Sequence, residues 1–249
     1  MMRWRNRRVA LVGNGPSGSG QGSDIDACDC VVRQSAWLSQ GPAGAGVKVS
    51  AICGFNANTE IPEHLWARHD WELWTNVPLD CFQSEPNAQD PGDWRWLLRT
   101  ADGRAIRTPR LGVIRETAAY LRQASVYRHN PPYVDLGLAC LAMALDLGAA
   151  RIDLWGYDRT GNGSHGDDWA KQRYRLVRDR VHHDYRARAI MIAELVDRHT
   201  WCGNPVKCET VWHCRPEIPP ERPEPYFDER KRRLFYWDPT TDKLKGGRL

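Results

Sequence analysis

A run of small residues, Gly13-Asn14-Gly15-Pro16-Ser17, follows directly on the apolar stretch RVALV. Glycine permits positive φ and close backbone approach, so a turn of this kind can present N–H groups to an anion. The Asn14 amide both donates and accepts, so it suits a ligand carrying phosphate next to ribose. The loop is not a Walker A loop, because no G-K-[ST] follows. It is not the dinucleotide fingerprint either: Gly13, Gly15 and Gly18 fit that pattern through glycine density alone. Pro16 fixes φ and removes one N–H. Three further groups have chemistry-bearing types. Asp24-Ile25-Asp26 fits the D-x-D pattern that holds divalent cations in some transferases. His182-His183 carries imidazoles that exchange protons near neutral pH, or forms the solvated face of an Arg-rich helix. Cys202, Cys208, His213 and Cys214 have zinc-ligand types. Their spacing lacks the usual C-x2-C knuckle, and His213 and Cys214 are adjacent.

The elements that must position these groups read as an α/β fold. Short apolar runs at RVALV, Cys30–Val32 and Val47–Cys53 suit strands of a parallel sheet buried on both faces. The stretch from Glu60 to Thr100 reads as helices and loops over that sheet, with its tryptophans in packing roles. VDLGLACLAMALDLGA is apolar on nearly every face and predicts a buried helix, with Gly148 as the residue ending it. IDLW, Ile152 to Trp155, then reads as a strand that turns at Gly156. A later helix is expected from about Trp169 towards Arg198, with a break near His182. The expected architecture is a single Rossmann-like domain with a central parallel sheet over 1–200. Residues 201–249 read as a Pro- and charge-rich extension, partly extended or disordered.

Composition narrows the classes. The chain has 249 residues, 41% hydrophobic and 27% charged, which excludes a disordered, collagenous or disulfide-miniprotein chain. No apolar run approaches the roughly 18–20 residues of a membrane helix. A net charge of +4 is low for a dedicated duplex binder. The basic start MMRWRNRR is followed by only a short apolar run, too short for a secretory signal. A cytoplasmic location is expected, with the eight cysteines mostly free thiols. The sequence is compatible with a homo-oligomer.

With these residues in view, the stretch LVGNGPSGSGQGSDIDACDCVVRQS resembles the large sialylmotif of the sialyltransferases. That motif continues from G-N-G-P-S through G-x-x-I-D-x-x-D-x-V-x-R. Here those positions hold Gly22, Ile25, Asp26, Asp29, Val31 or Val32, and Arg33. A second piece is similar to the bacterial sialyltransferases of the Campylobacter type: a helix opening near Gly137, then Leu147-Gly148, the strand IDLW and Gly156-Tyr157-Asp158. A third is His182-His183-Asp184-Tyr185 before AIMIAEL. In this frame Asp24-Ile25-Asp26 belongs to the motif, and no metal site is expected.

The resemblance implies a Rossmann-like domain with a helical lid and no cofactor beyond a CMP-activated sugar donor. It implies an inverting, metal-independent transfer to a glycan or small-molecule acceptor, with a histidine base. His183 is the first candidate and His182 the second. Gly13, Asn14, Gly15, Ser17, Ser35, Gly156 and Asp158 would hold the donor, and Arg159 would neutralise its leaving phosphate. Asn56 stands where these enzymes carry a donor-contacting Asn, and otherwise reads as an Asx-turn residue. Asp158 reads equally as a turn cap, and His165 as a loop histidine. The chain departs from the pattern in four places. Ser35 replaces an Asn, Arg159 stands where tyrosines would hold the phosphate, Asp135-Leu136 replaces small hydroxyl residues, and Arg188 replaces an acidic residue. Two other classes compete. One is a pterin pyrophosphokinase-like enzyme using ATP and magnesium, which shares the G-x-G-P-S loop. The other is a noncatalytic nucleic-acid or partner-binding module, suggested by the Arg-rich stretch 169–188 and the KRR tail. The I-D-x-x-D continuation and the late histidine favour the first reading.

Overall fold

The computed structural model describes residues 3–13, 15–34, 44–54, 63–75, 103–124, 134–157, 185–198, 207–218, 226–228, 233–238 and 243–248. The elements run β1 (Arg8–Val12), α1 (Gly22–Asp26), β2 (Cys30–Gln34), β3 (Ala51–Cys53), α2 (Glu63–Trp66), β4 (Glu72–Trp74) and β5 (Ile106–Arg107). They continue with α3 (Leu111–Ala124), α4 (Leu136–Asp146), β6 (Arg151–Trp155), α5 (Tyr185–Arg198), β7 (Glu209–Trp212), β8 (Tyr226–Asp228), β9 (Arg233–Asp238) and β10 (Lys243–Arg248). Among the described residues, no helix is long and apolar enough to cross a membrane.

Seven strands form one sheet in the order β5-β4-β3-β2-β1-β6-β7, every pairing parallel. The chain therefore starts in the middle, builds outward to β5, and returns past β1 to add β6 and β7. A sheet wound in both directions has its crevice where the order reverses, here between β1 and β6. The central strands are buried on both faces, which is why RVALV reads as an apolar run rather than an alternating one, while β6 buries Asp153 among its apolar residues. Ala10 and Val12 pack on Ile25, Cys28, Val31, Ala45 and Trp155 in one core cluster.

Helix α4 is buried from Gly137 through Leu145, as its all-round apolar sequence requires. Asp135 caps it, its carboxylate accepting from the Leu138 N–H at 2.8 Å. It ends at Gly148, whose φ of +78° and N–H bond to the Leu145 carbonyl match a glycine C′ stop.

Two differences from the sequence reading have physical causes. The stretch from Glu60 contains β4, so it supplies a sheet strand; its part from residue 76 onward lies outside the described residues. A three-residue strand opening on a carboxylate has no periodicity to read. Glu72 is accommodated because both Trp4 and Trp74 indoles donate to Oε2, at 3.0 and 3.2 Å, and Arg107 binds both oxygens. Trp71 and Trp74 are buried, in the packing roles expected of them. The second difference is in residues 201–249, expected as an extended or partly disordered extension. That stretch contributes β7 to the parallel sheet, beyond the boundary placed at residue 200, and forms a three-stranded antiparallel sheet β10-β9-β8. Its Pro-rich start hid the alternating, aromatic-rich strands behind it. The chain divides into two compact units. One comprises Met1–Thr117, Val134–Asp158 and Glu194–Arg215, and holds the parallel sheet; the other comprises Ala118–Tyr133, Arg159–Ala193 and Pro216–Leu249, and holds β8–β10.

Asp153 is the one carboxylate set in the centre of β6, and its side chain is fully buried. Arg8 reaches it at 2.8 Å, Arg151 at 2.9 Å and the His213 Nε2 at 2.8 Å. Burial pushes this carboxyl's pKa up, but the bonds from Arg151, Arg8 and His213 outweigh burial and hold it well below the usual carboxylate range. A carboxyl depressed in the folded state stabilises the fold fully above its unfolded pKa of about 3.9, and that contribution disappears as pH falls through the folded value. Asp153→Asn is expected to lower stability at pH 7 by about 2–3 kcal/mol, somewhat less than a fully enclosed ion pair loses because both arginines can turn to water. Urea denaturation at pH 7 and below pH 4 checks this, the difference from the unsubstituted protein narrowing at the lower pH.

Candidate functional site

The carboxyl ends of β1 and β6 emerge side by side, and their first turns are locked together. The Gly13 N–H donates to the Trp155 carbonyl at 2.7 Å, and the Gly15 N–H to the Gly156 carbonyl at 3.0 Å. The Gly156 N–H in turn donates to Ser17 Oγ at 2.7 Å. The two backbones cross so closely that side chains have no place. A Cβ on Gly13 would lie 2.5 Å from the Gly156 oxygen, and one on Gly156, where φ is +71°, would lie 2.6 Å from the Gly13 oxygen. Both residues are glycine for this reason.

The start of α4 closes in on the same crossing. Tyr157 follows Gly156 directly; its hydroxyl donates to the Gly137 carbonyl at 3.1 Å and accepts from the Gln34 Nε2 at 3.1 Å. Gly137 sits among these groups. A Cβ there would stand 3.0 Å from Gln34 Nε2, 3.2 Å from Asp135 Oδ1 and 3.2 Å from the Tyr157 ring. The last residue of β2, the turn after β6, the Gly13 turn and the capped start of α4 thus form one continuous wall at the reversal of strand order.

Residues of the I-D-x-x-D-x-V-x-R stretch build the support behind that wall. Ile25 is fully buried. The Asp26 carboxylate accepts from the backbone N–H groups of Val47 and Lys48, at 2.8 and 2.9 Å, and pairs with Arg33 at 3.4 Å. Both Asp26 oxygens are engaged in folding the loop before β3. Arg33 is fully buried and its Nε donates to the Lys48 carbonyl at 2.8 Å. Burial pulls its guanidinium down to about 10, with Asp26 opposing, so it stays charged at neutral pH. Asp29 accepts from the Arg8 N–H at 2.9 Å and ties the start of β1 to the start of β2.

Of the residues singled out from the sequence, the structure brings together Gly13, Gly15, Ser17 and Gly156. The N–H groups of Gly13 and Gly15 are spent on the crossing, so these glycines shape the site. Asn14, Ser35, Asn56, Asp158, Arg159, His165, His182 and His183 lie outside the described residues, as does the lid that the resemblance implies and as does Cys202. His213, weighed as a zinc ligand, instead bonds Asp153 and stacks on Trp155 with centroids 3.5 Å apart and planes 6° from parallel. Cys208 is buried and its thiol is pushed up to about 11, while Cys214 is exposed. Burial also raises the thiols of Cys28, Cys30 and Cys140, which makes them poor nucleophiles at neutral pH. The Gln34–Tyr157 bridge escaped the sequence reading. Its partners are 123 positions apart, and no spacing rule connects them.

A parallel sheet wound in both directions, with a glycine crossing at its switch point, defines an α/β architecture of the Rossmann-like kind. Comparison with solved structures places the chain in similar company. It is similar to the sialyltransferase CstII from Campylobacter jejuni in complex with the substrate analogue CMP-3FNeuAc. The TM-score is 0.50 and the identity 16%, over 84% of this chain and 80% of that one. It is also similar to a point variant of Cst-II in complex with CMP, with a TM-score of 0.51 and 15% identity over 84% of this chain and 81% of that one. Likeness at this identity shows a shared fold. No protein-family model matches the sequence, and no curated protein matches it.

The crossing leads to two outcomes for substitution. Gly156→Ala imposes a left-handed conformation and a clash with Gly13, and is expected to cost on the order of 3 kcal/mol. Ser17→Ala leaves the Gly156 N–H without its acceptor and is expected to cost about 1–2 kcal/mol. Thermal and urea unfolding of both variants check the order, with Gly156→Ala the worse.

Proposed function

We propose that this chain is an inverting glycosyltransferase of the sialyltransferase kind, taking its sugar from a CMP-activated donor. One observation carries the reading: two pieces of the sequence resemblance, 139 positions apart, meet in a hydrogen bond from the Gly156 N–H to Ser17 Oγ. They meet at the reversal of strand order, where doubly wound sheets bind nucleotides. The similarity of fold to structures that hold CMP or a CMP-sugar analogue supports the same assignment. Sialic acid is the proposed sugar, and the acceptor is a hydroxyl of a glycan or small molecule. The buried free thiols suit a reducing, cytoplasmic setting.

In the proposed step, His183, or His182 in its place, takes the proton from the acceptor hydroxyl. That oxygen attacks the anomeric carbon from the face opposite the nucleotide. The bond from the anomeric carbon to the phosphate oxygen breaks, and CMP leaves with the electron pair, inverting the centre. The Asn14 amide holds ribose and phosphate at the turn that the glycines shape. Arg159 neutralises the charge growing on the leaving phosphate, so no metal takes part in the proposed step. Ser35, Asn56 and Asp158 complete the donor contacts.

A panel of CMP, CDP, UDP, GDP, ADP and ATP, tested by thermal shift with EDTA and with magnesium, decides between the enzyme classes. A ligand that binds the native state raises the melting temperature by mass action. Stabilisation by CMP or CDP in EDTA is the expected result. Stabilisation by ATP alone, and only with magnesium, would sink the proposal in favour of a pyrophosphokinase. Once a donor is found, His183→Ala is expected to lower turnover about 10²–10⁴-fold while leaving nucleotide binding intact. Near-normal turnover would move the base to His182.

A further inference from the structure

We propose that Gln34 and Tyr157 form a positioning pair that sets the start of α4 against the glycine crossing and so fixes the nucleotide-binding wall; the link to nucleotide rests on the donor reading above. Hydrogen-bond capacity dictates the polarity of this chain of groups. The Gly137 carbonyl can only accept, so the single Tyr157 hydroxyl proton points to it, at 3.1 Å. The tyrosine oxygen is thereby left to accept, and Gln34 must present its Nε2 to it, also at 3.1 Å. The direction is fixed from β2 through Tyr157 to α4. Turning the tyrosine proton away takes a donor from the Gly137 carbonyl, and turning the Gln34 amide sets its oxygen against the tyrosine oxygen.

The tyrosine ring does the steric part. A Cβ on Gly13 would lie 3.4 Å from Tyr157 Cδ2, and a Cβ on Gly137 would lie 3.2 Å from Cε1. One ring therefore spaces the Gly13 turn from the first turn of α4, and the ring itself is almost wholly buried. Asp135 caps the same turn by accepting from the Leu138 N–H. The start of α4 has two anchors, one local cap and one bridge to the sheet. The bridge ties that turn to the end of β2 and to the residue after the β6 turn. Binding groups carried on two separate backbone segments must hold their spacing closely to act together, so the bridge belongs to the binding machinery although it touches no ligand itself.

The test uses the full chain and the variants Tyr157→Phe, Gln34→Glu and the double variant. Gln34→Glu keeps the side-chain length but turns the donor into an acceptor. The tyrosine proton then goes to Glu and the Gly137 carbonyl loses it. Hydrogen exchange across residues 135–140 and CMP titration by calorimetry are the two readouts. Both single variants are expected to exchange faster at the start of α4, with β1 and β6 protected as before. Both are expected to bind CMP about tenfold more weakly, the loss expected for one hydrogen bond. The double variant is expected to be no worse than either single one, because both remove the same interaction. Unchanged exchange in Tyr157→Phe overturns the proposal. So does a Gln34→Glu variant that behaves like the parent, which would mean that side-chain size alone matters. Loosened exchange with unchanged CMP affinity overturns the link to binding. If the parent protein binds no CMP, the donor reading falls, and the exchange pattern alone decides the pair. Should Tyr157→Phe fail to fold, Gln34→Glu, which keeps the ring, decides it.

Discussion

The backbone crossing of Gly13 and Gly156 is the constraint on which the rest of the structure depends. Two polypeptide turns meet there with no side chain between them, held by hydrogen bonds from the Gly13 and Gly15 N–H groups. This fixes the carboxyl ends of β1 and β6 relative to each other, and with them the reversal of strand order. Ser17 closes the arrangement by accepting from Gly156. Everything at that end of the sheet is referred to this point. Tyr157 is aimed by the turn that precedes it, and Tyr157 holds Gly137.

Three carboxylates around the sheet share one pattern: each is met by several donors, some of them from distant parts of the chain. Asp153 gathers Arg8, Arg151 and His213; Glu72 gathers two indoles and Arg107; Asp26 gathers two backbone N–H groups and Arg33. An isolated buried carboxylate would cost far more than packing could return. Each of these three instead fixes the position of the segments that meet it. Much of the I-D-x-x-D-x-V-x-R stretch is of this kind. Its regularity lies in building the loop before β3 and aligning β1 with β2, while Gly13 to Ser17 shape the crevice.

Where the fold was legible in the sequence, the signal was local. RVALV and IDLW showed strands because both faces are buried. The helix before Gly148 showed itself by being apolar all round, and Gly148 and Gly156 marked turns that need positive φ. Illegible features depended on partners far away in the chain. β4 is three residues long and opens on Glu72, which belongs in a core only because Trp4 and Arg107 are there to meet it. β7 was hidden by the charged and proline-rich composition of the residues around it. His213 has a metal ligand's chemistry, but Asp153, 60 positions earlier, takes its Nε2. The Gln34–Tyr157 bridge has no local signature of any kind.

The sequence separation across the crossing has a consequence for synthesis. β1 is made well before the strand that completes its far side, β6, and the serine that closes the turn waits 139 positions for Gly156. β2 and β3 can pair with β1 early, but the half-built sheet keeps one apolar edge open until Arg151–Trp155 has emerged. Non-local parallel pairing of this kind is slow and leaves strand edges exposed while it is incomplete. A nascent chain paused before β6 would therefore carry β1 with one edge unpaired, and chaperone engagement should concentrate in that window of elongation.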